Sequence, residues 1–470
     1  VSAAGPAPRD AAPPRLDRGT LPRLPREQRP PVDPAELRTR IVHFGLGAFH
    51  RAHQALYTEN AAALSGELWG ITAVAPSSLE TVSALRDQDC LYSLTERRPE
   101  GAVRRVVGAL TGALGMRADP AGVGALLADP EVTVVTLTIT EKGYRPPAAG
   151  GGPDVIGCLT AGLAARLRAG AAPISVASCD NMADNGAALG RLVGDRVRAS
   201  DWPDREKILD LMAESVAFPS TVVDRIVPAT TADDRAAVAS ALGVRDAAPV
   251  VAEPYRQWVL EDSFTAPRPP WELDGALLVP DVAPYQLTKL RLLNGSHSAL
   301  AYLGLAAGHG TIADAMAGDW GERLVRALCA EVAPTLPAGG PDPDAYADDL
   351  VVRFRNPGMR HLLRQIGSDG SLKITERWLP ALRSLRERGA ATPVLELSLA
   401  GWVHATAAGY GTTDPAQDAL AACWAATARP ADTVRGLLRA LGADDLADDT
   451  ALTAAVADRL PALRAGRVEV

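Results

Sequence analysis

The sequence predicts two dissimilar halves, an α/β half built on a parallel sheet and then a mostly α-helical half. Three observations carry this reading. Short β-branched runs alternate with helical stretches as far as about residue 284. The first of those runs enters a glycine-rich turn. Past residue 284 the strand signals fade into Ala/Leu/Arg-rich segments separated by Gly and Pro. The expected division is residues 1–36 as a mobile Pro/Ala-rich arm, 37–283 as the α/β domain and 284–470 as the helical domain.

Taken in order, residues 1–36 are rich in Pro, Ala and Arg and lack apolar periodicity, so a mobile arm is expected, part of it draped over the domain. Ile41-Val42-His43-Phe44 reads as a short buried strand. It leads into Gly45-Leu46-Gly47-Ala48-Phe49-His50-Arg51-Ala52-His53-Gln54 and an amphipathic stretch to about Leu64. Strand, glycine turn and helix are the opening of a Rossmann-type dinucleotide-binding domain. Residues 69–74 and 132–138 are further strands, and Ile174–Ser178 is another, running into Cys179-Asp180-Asn181-Met182-Ala183-Asp184-Asn185-Gly186. In such sheets functional loops lie at the carboxyl ends of the strands. In the second half, residues 335–345 read as a surface loop.

Composition narrows the function. With 470 residues there is ample material for two buried cores. A net charge of −8 and no basic tract argue against a nucleic-acid partner. No run approaches the ~20 apolar residues of a membrane span, and the polar, Pro-rich start is unlike a secretory leader. Cys90, Cys158, Cys179, Cys329 and Cys423 are scattered, which fits reduced thiols in a cytoplasm. No Cys-x-x-Cys or His-Glu-x-x-His spacing is present, so no metal site is expected and a proton must be handled by a side chain. A monomer or small homo-oligomer acting on a small molecule is the expected form.

Glycines cradle phosphates because backbone N–H groups approach closely where no Cβ intervenes. Gly45 and Gly47 fill the first two positions of the fingerprint and His50 the third, with Ala48 and Phe49 between them, so these residues are the expected cofactor contacts. The ribose discriminator is expected after the second strand, where Ser77, Ser78 and Glu80 stand. No basic residue lies between Trp69 and Arg86, which favours NAD while leaving NADP open.

Lys289-Leu290-Arg291-Leu292-Leu293-Asn294-Gly295-Ser296-His297 sets a base, an amide and an imidazole on one apolar segment. At about 100° per residue, Asn294 lies about 140° and His297 about 80° round from Lys289, so all three can share a cleft while Arg291 faces away. A lysine held among leucines loses part of its proton affinity and can serve as a general base.

These segments resemble the polyol-specific long-chain dehydrogenases, the mannitol dehydrogenase family. The resemblance runs over about residues 38–410, through Gly45-x-Gly47, Thr138-Ile139-Thr140-Glu141-Lys142-Gly143-Tyr144, the 179–186 loop, the 289–297 helix and Asp369-Gly370-Ser371-Leu372-Lys373. It implies a zinc-independent oxidoreductase binding NAD or NADP, with Lys289 as base, Asn294 holding the developing alkoxide and His297 orienting lysine or substrate. Glu141 is then expected near the nicotinamide, and Lys373 at a distal substrate hydroxyl. A second amide beside the reacting oxygen should come from Asn185 or Asn181, the former slightly favoured.

The implied reaction interconverts a polyol and a ketose, such as mannitol and fructose or arabinitol and xylulose. The runner-up reduces a ketohexuronate, fructuronate or tagaturonate, with Arg360, His361 and Lys373 as contacts for its carboxylate. A non-catalytic sugar- or nucleotide-sensing homologue is the third reading. Its only support is Gln286, where many family members carry a carboxylate one turn before the lysine, and the Ser77-Ser78 turn.

Overall fold

Ile41 packs into one hydrophobic cluster while Val42 and Phe44 pack into another, the period-2 alternation of a strand buried on both faces. A computed structural model describes residues 13–145, 154–170 and 172–470 and divides into two compact units, 1–282 and 283–470. The strands in chain order are β1 (Arg38–Phe44), β2 (Trp69–Ala75), β3 (Tyr92–Arg98), β4 (Gly101–Val107), β5 (Leu110–Gly115) and β6 (Val134–Leu137). They continue with β7 (Ile174–Ser178), β8 (Val216–Ala217), β9 (Thr221–Asp224), β10 (Val250–Ala252), β11 (Gln257–Glu261) and β12 (Leu277–Val279).

Six of these form one sheet in the order β5-β2-β1-β6-β7-β8, parallel throughout. The order reverses direction at β1, so the crevice above β1 and β6 is where a doubly wound sheet takes its ligand. Two further sheets, β10-β3-β4 and β12-β11-β9, each contain an antiparallel pair that the alternating pattern did not foretell. Trp258 and Trp271, both fully buried with ring centroids 4.5 Å apart, fill the space beneath β11.

The arm expected at residues 1–36 needs correction over its described part. Leu16 and Leu24 are buried against Leu91, Val106, Val238, Leu242 and Val244, and Leu16 N–H donates to Arg245 O at 2.8 Å while Arg245 N–H donates to Pro14 O at 2.7 Å. Two leucines inserted among five apolar side chains offset the entropy of ordering a Pro-rich chain. Residues 1–12 lie outside the described part.

In the second unit, Gly295–Ala306, Pro393–Ala408 and Thr450–Arg464 contribute to one core, through residues such as Leu300, Leu303, Leu399, Trp402 and Val456. The loop expected at 335–345 is shorter than that. A helix already begins at Pro343, with the Asp342 carboxylate accepting from Ala345 N–H and proline at the position that needs no donor. No described helix is long and apolar enough to cross a membrane.

Candidate active site

In the first unit the glycine turn is bound to the ends of its neighbouring strands. Gly45 N–H donates to Val74 O at 2.9 Å, and Gly47 N–H to Gly45 O at 2.7 Å. Gly45 has φ of +116°, and a Cβ on it would stand 2.1 Å from Thr138 O, so only glycine fits. Gly47 differs: it is exposed, and nothing lies within 4 Å of where its Cβ would be. Backbone that a Cβ would obstruct, open on the ligand side, suits a pyrophosphate. Ala48 and Phe49 are half-buried beside it, and Phe49 stacks on His53 at 5.0 Å.

His43, which sequence reasoning passed over, braces this turn from below. Its Nε2 is 2.9 Å from Gly45 O and its Nδ1 is 2.7 Å from Thr136 Oγ1. A carbonyl can only accept, so the ring carries its proton on Nε2 and accepts at Nδ1. Burial lowers its pKa to about 3, which keeps it neutral.

His50, expected as a cofactor contact, lies elsewhere. It is fully buried, stacked on His43 with centroids 3.4 Å apart. The third position of the fingerprint faces the helix–strand interface, and here an imidazole fills that space instead of a ligand meeting it. Ser77, Ser78 and Glu80 are all exposed at the carboxyl end of β2. Glu141 is exposed in the short helix Thr140–Gly143 beyond β6.

The expectation for the 179–186 loop also changes. Asn185 is 1% exposed; its amide donates to Asp180 O and Thr221 O and accepts from Thr221 N–H, each at 2.9 Å. Its capacity goes into tying the loop to β9, and Asn181 is the exposed amide.

In the second unit Lys289–Asn294 is a π-helical turn set within a continuous helix, with Gly295 N–H donating to Leu290 O five residues back. The wider i→i+5 turn closes the angle between Lys289 and Asn294 that uniform α geometry leaves open. Both are half-buried, and Arg291 points away to donate to Thr335 O. Arg377 holds the end of the turn, donating to Asn294 O at 3.2 Å and Ser298 Oγ at 2.8 Å.

His297 stacks on Phe354 at 4.5 Å and meets His361 edge-on at 5.7 Å. The Nε2 atoms of both rings are buried without a protein partner. Burial lowers the pKa of each, to about 4 for His361, helped at His297 by the positive charges of Arg353, Arg377 and Lys373. Two neutral imidazoles therefore offer unsatisfied nitrogen atoms, the unpaid capacity that a hydroxylated ligand would meet. Lys373 Nζ donates to Ile366 O at 3.0 Å and Ser368 O at 2.7 Å, leaving one of its three donors. Arg360 is exposed. Among the described residues no three His, Cys, Asp or Glu side chains are grouped to hold a metal.

Sequence profiles of the Mannitol dehydrogenase Rossmann domain and the Mannitol dehydrogenase C-terminal domain match residues 39–273 and 281–464. The chain is 39% identical to the D-mannonate oxidoreductase of Escherichia coli K12, over 80% of this chain and 82% of that protein. It is similar to a crystal structure of D-sorbitol dehydrogenase in substrate-free form, with TM-score 0.85, 30% identity, and 96% and 100% of the two chains covered. It is also similar to Pseudomonas fluorescens mannitol 2-dehydrogenase in a ternary complex with NAD and D-mannitol, with TM-score 0.77, 31% identity, and 96% and 97% covered.

Proposed function

This chain belongs to the mannitol dehydrogenase family, and from that premise we propose that it is an NAD-dependent dehydrogenase of a linear polyol, interconverting it with the ketose. The observation that carries the substrate class is the pair of buried Nε2 atoms on His297 and His361, which a chain of hydroxyl groups satisfies as donor and acceptor. Support for NAD comes from the open Gly47 backbone and from the dinucleotide in the mannitol 2-dehydrogenase complex. When bound, the nicotinamide accepts a hydride.

Lys289 takes the hydroxyl proton as the carbinol carbon is oxidised, and in the reverse direction returns it. Asn294 lies on the same turn, and its amide N–H donates to the oxygen on which charge develops. With lysine as the proton acceptor this step needs no Lewis acid, and the enzyme proposed is zinc-independent. The five free cysteines and the absence of basic tracts fit a cytoplasmic enzyme of small molecules.

A second reading is favoured by one observation. Lys373, Arg353 and Arg377 all lie near enough to His297 to oppose its protonation, and such a field suits an anionic aldonate or ketohexuronate. The D-mannonate oxidoreductase relative points the same way. Absorbance of reduced nicotinamide, followed with polyols, ketoses, aldonates and ketohexuronates, separates the readings. A higher kcat/KM for mannitol or fructose supports the first, a higher value for fructuronate replaces it with the second, and no turnover of any of them refutes both.

A further inference from the structure

Two loops at the carboxyl edge of the parallel sheet are tied to one residue, Asp180, which stands two residues past the end of β7 and is 7% exposed. Its carboxylate accepts from Ile139 N–H at 3.0 Å, Thr140 N–H at 2.7 Å and Tyr144 Oη–H at 2.8 Å, all in the segment after β6. Its carbonyl oxygen accepts from Asn185 Nδ2 at 2.9 Å, in the loop after β7. The side chain thus holds one loop and the main chain the other.

The two N–H groups converge for a reason visible in the backbone. Ile139 has φ −110° and ψ 2°, and Thr140 follows with φ of +62°. Such a pair turns successive N–H groups into one concavity, a nest that takes an anion. In this protein the anion is internal. Thr140 has no glycine's freedom at positive φ, so the conformation depends on the acceptor that opposes it. Burial raises the Asp180 carboxyl pKa, while its three hydrogen bonds oppose that rise.

We propose that Asp180 is a positioning residue for the nicotinamide end of the dinucleotide: its carboxylate sets the spacing of the loops after β6 and β7, over which a doubly wound sheet binds its cofactor. This rests on the reading of the first unit as NAD-binding. Asparagine does not substitute for the carboxylate, because its NH2 group would face one of the two converging N–H donors.

The test is calorimetric titration of the full chain with NAD+ and, separately, with ADP-ribose, which lacks the nicotinamide. For Asp180→Asn the expected result is about ten-fold weaker NAD+ binding, with ADP-ribose affinity within about two-fold of the parent. Equal affinities for NAD+ in parent and variant overturn the proposal, as does an equal loss for both ligands, which marks general structural damage. A parent that binds neither ligand refutes the NAD reading itself, and the proposal with it. Should Asp180→Asn not fold, Tyr144→Phe decides, since it deletes one donor and leaves the nest. A loss of about three-fold confined to NAD+ supports the assignment, and unchanged discrimination between the two ligands overturns it.

Discussion

Gly45 and Gly47 are two residues apart, and their replacement by alanine should produce opposite kinds of defect. At Gly45 a Cβ would meet Thr138 O at 2.1 Å, Thr138 Oγ1 at 2.6 Å and Thr138 C at 2.8 Å. Two of those atoms are backbone at the end of β6, so relief requires the strand end to move by about 1 Å. The φ of +116° adds strain of about 1–2 kcal/mol for any residue with a Cβ. With about 1–3 kcal/mol for the overlap, Gly45→Ala should cost about 2–5 kcal/mol and lower the thermal transition of the first unit by about 5–15 °C. At Gly47 φ is −84° and the space is open, so alanine is conformationally harmless. Gly47→Ala should keep its Tm within about 1 °C while binding NAD+ about ten-fold more weakly, because the methyl group stands where phosphate approaches. Scanning calorimetry and NAD+ titration on both variants check this. A Gly45→Ala protein with unchanged Tm would refute the steric argument, and Gly47→Ala with parental affinity would place the phosphates elsewhere.

Lys289→Ala should lower kcat by about 10²–10⁴-fold with NAD+ affinity retained, and near-normal turnover would remove lysine from its assigned role. Exhaustive chelation should leave activity unchanged; reversible loss restored by zinc contradicts the metal-free assignment. Burial holds His43 and His53 near pKa 3 and His361 near 4, below the ordinary 6.5. Below pH 6.5 the unfolded chain binds protons that the folded chain refuses, so stability present above pH 6.5 is lost as pH falls towards 4, by about 1.4 kcal/mol per pH unit for each group. Denaturation midpoints that stay level across that window count against these neutral histidines. Lys373→Gln should cost about 1 kcal/mol in kcat/KM for a neutral polyol, since an amide can replace one neutral bond, whereas a much steeper loss confined to fructuronate would favour the anionic substrate.

Elements whose cause is local were legible in the letters. The β1 run and the Gly45 turn each depend on neighbours within a few residues, and each stands where the pattern put it, whereas Lys289–Asn294 is a π-helical turn in place of the uniform α-helix that the spacing of the triplet assumes. The two smaller sheets were not legible as units, because pairing β9 with β11 (antiparallel) or β10 with β3 (parallel) joins segments whose own periodicity says nothing of the partner. Within the stretch 1–36 that composition presents as an arm, the order of the described residues is hidden for the same reason: it comes from Leu91, Val106, Val238, Leu242 and Val244, far along the chain.

The candidate site divides along that line. Sequence alone determined which residue types are present, a lysine, an amide and imidazoles on one apolar segment and two glycines after a strand, because covalent order fixes spacing and spacing fixes what one turn can present. Tertiary structure decided which of them remain available. Asn185 is consumed by Asp180 and Thr221, His50 is packed on His43, and Lys373 is largely committed to its own loop, whereas His297 and His361 converge with nitrogens unsatisfied. A polar side chain's chemistry is set by its type, but its availability is set by whichever backbone group reaches it first, and that competition is settled only when distant segments pack.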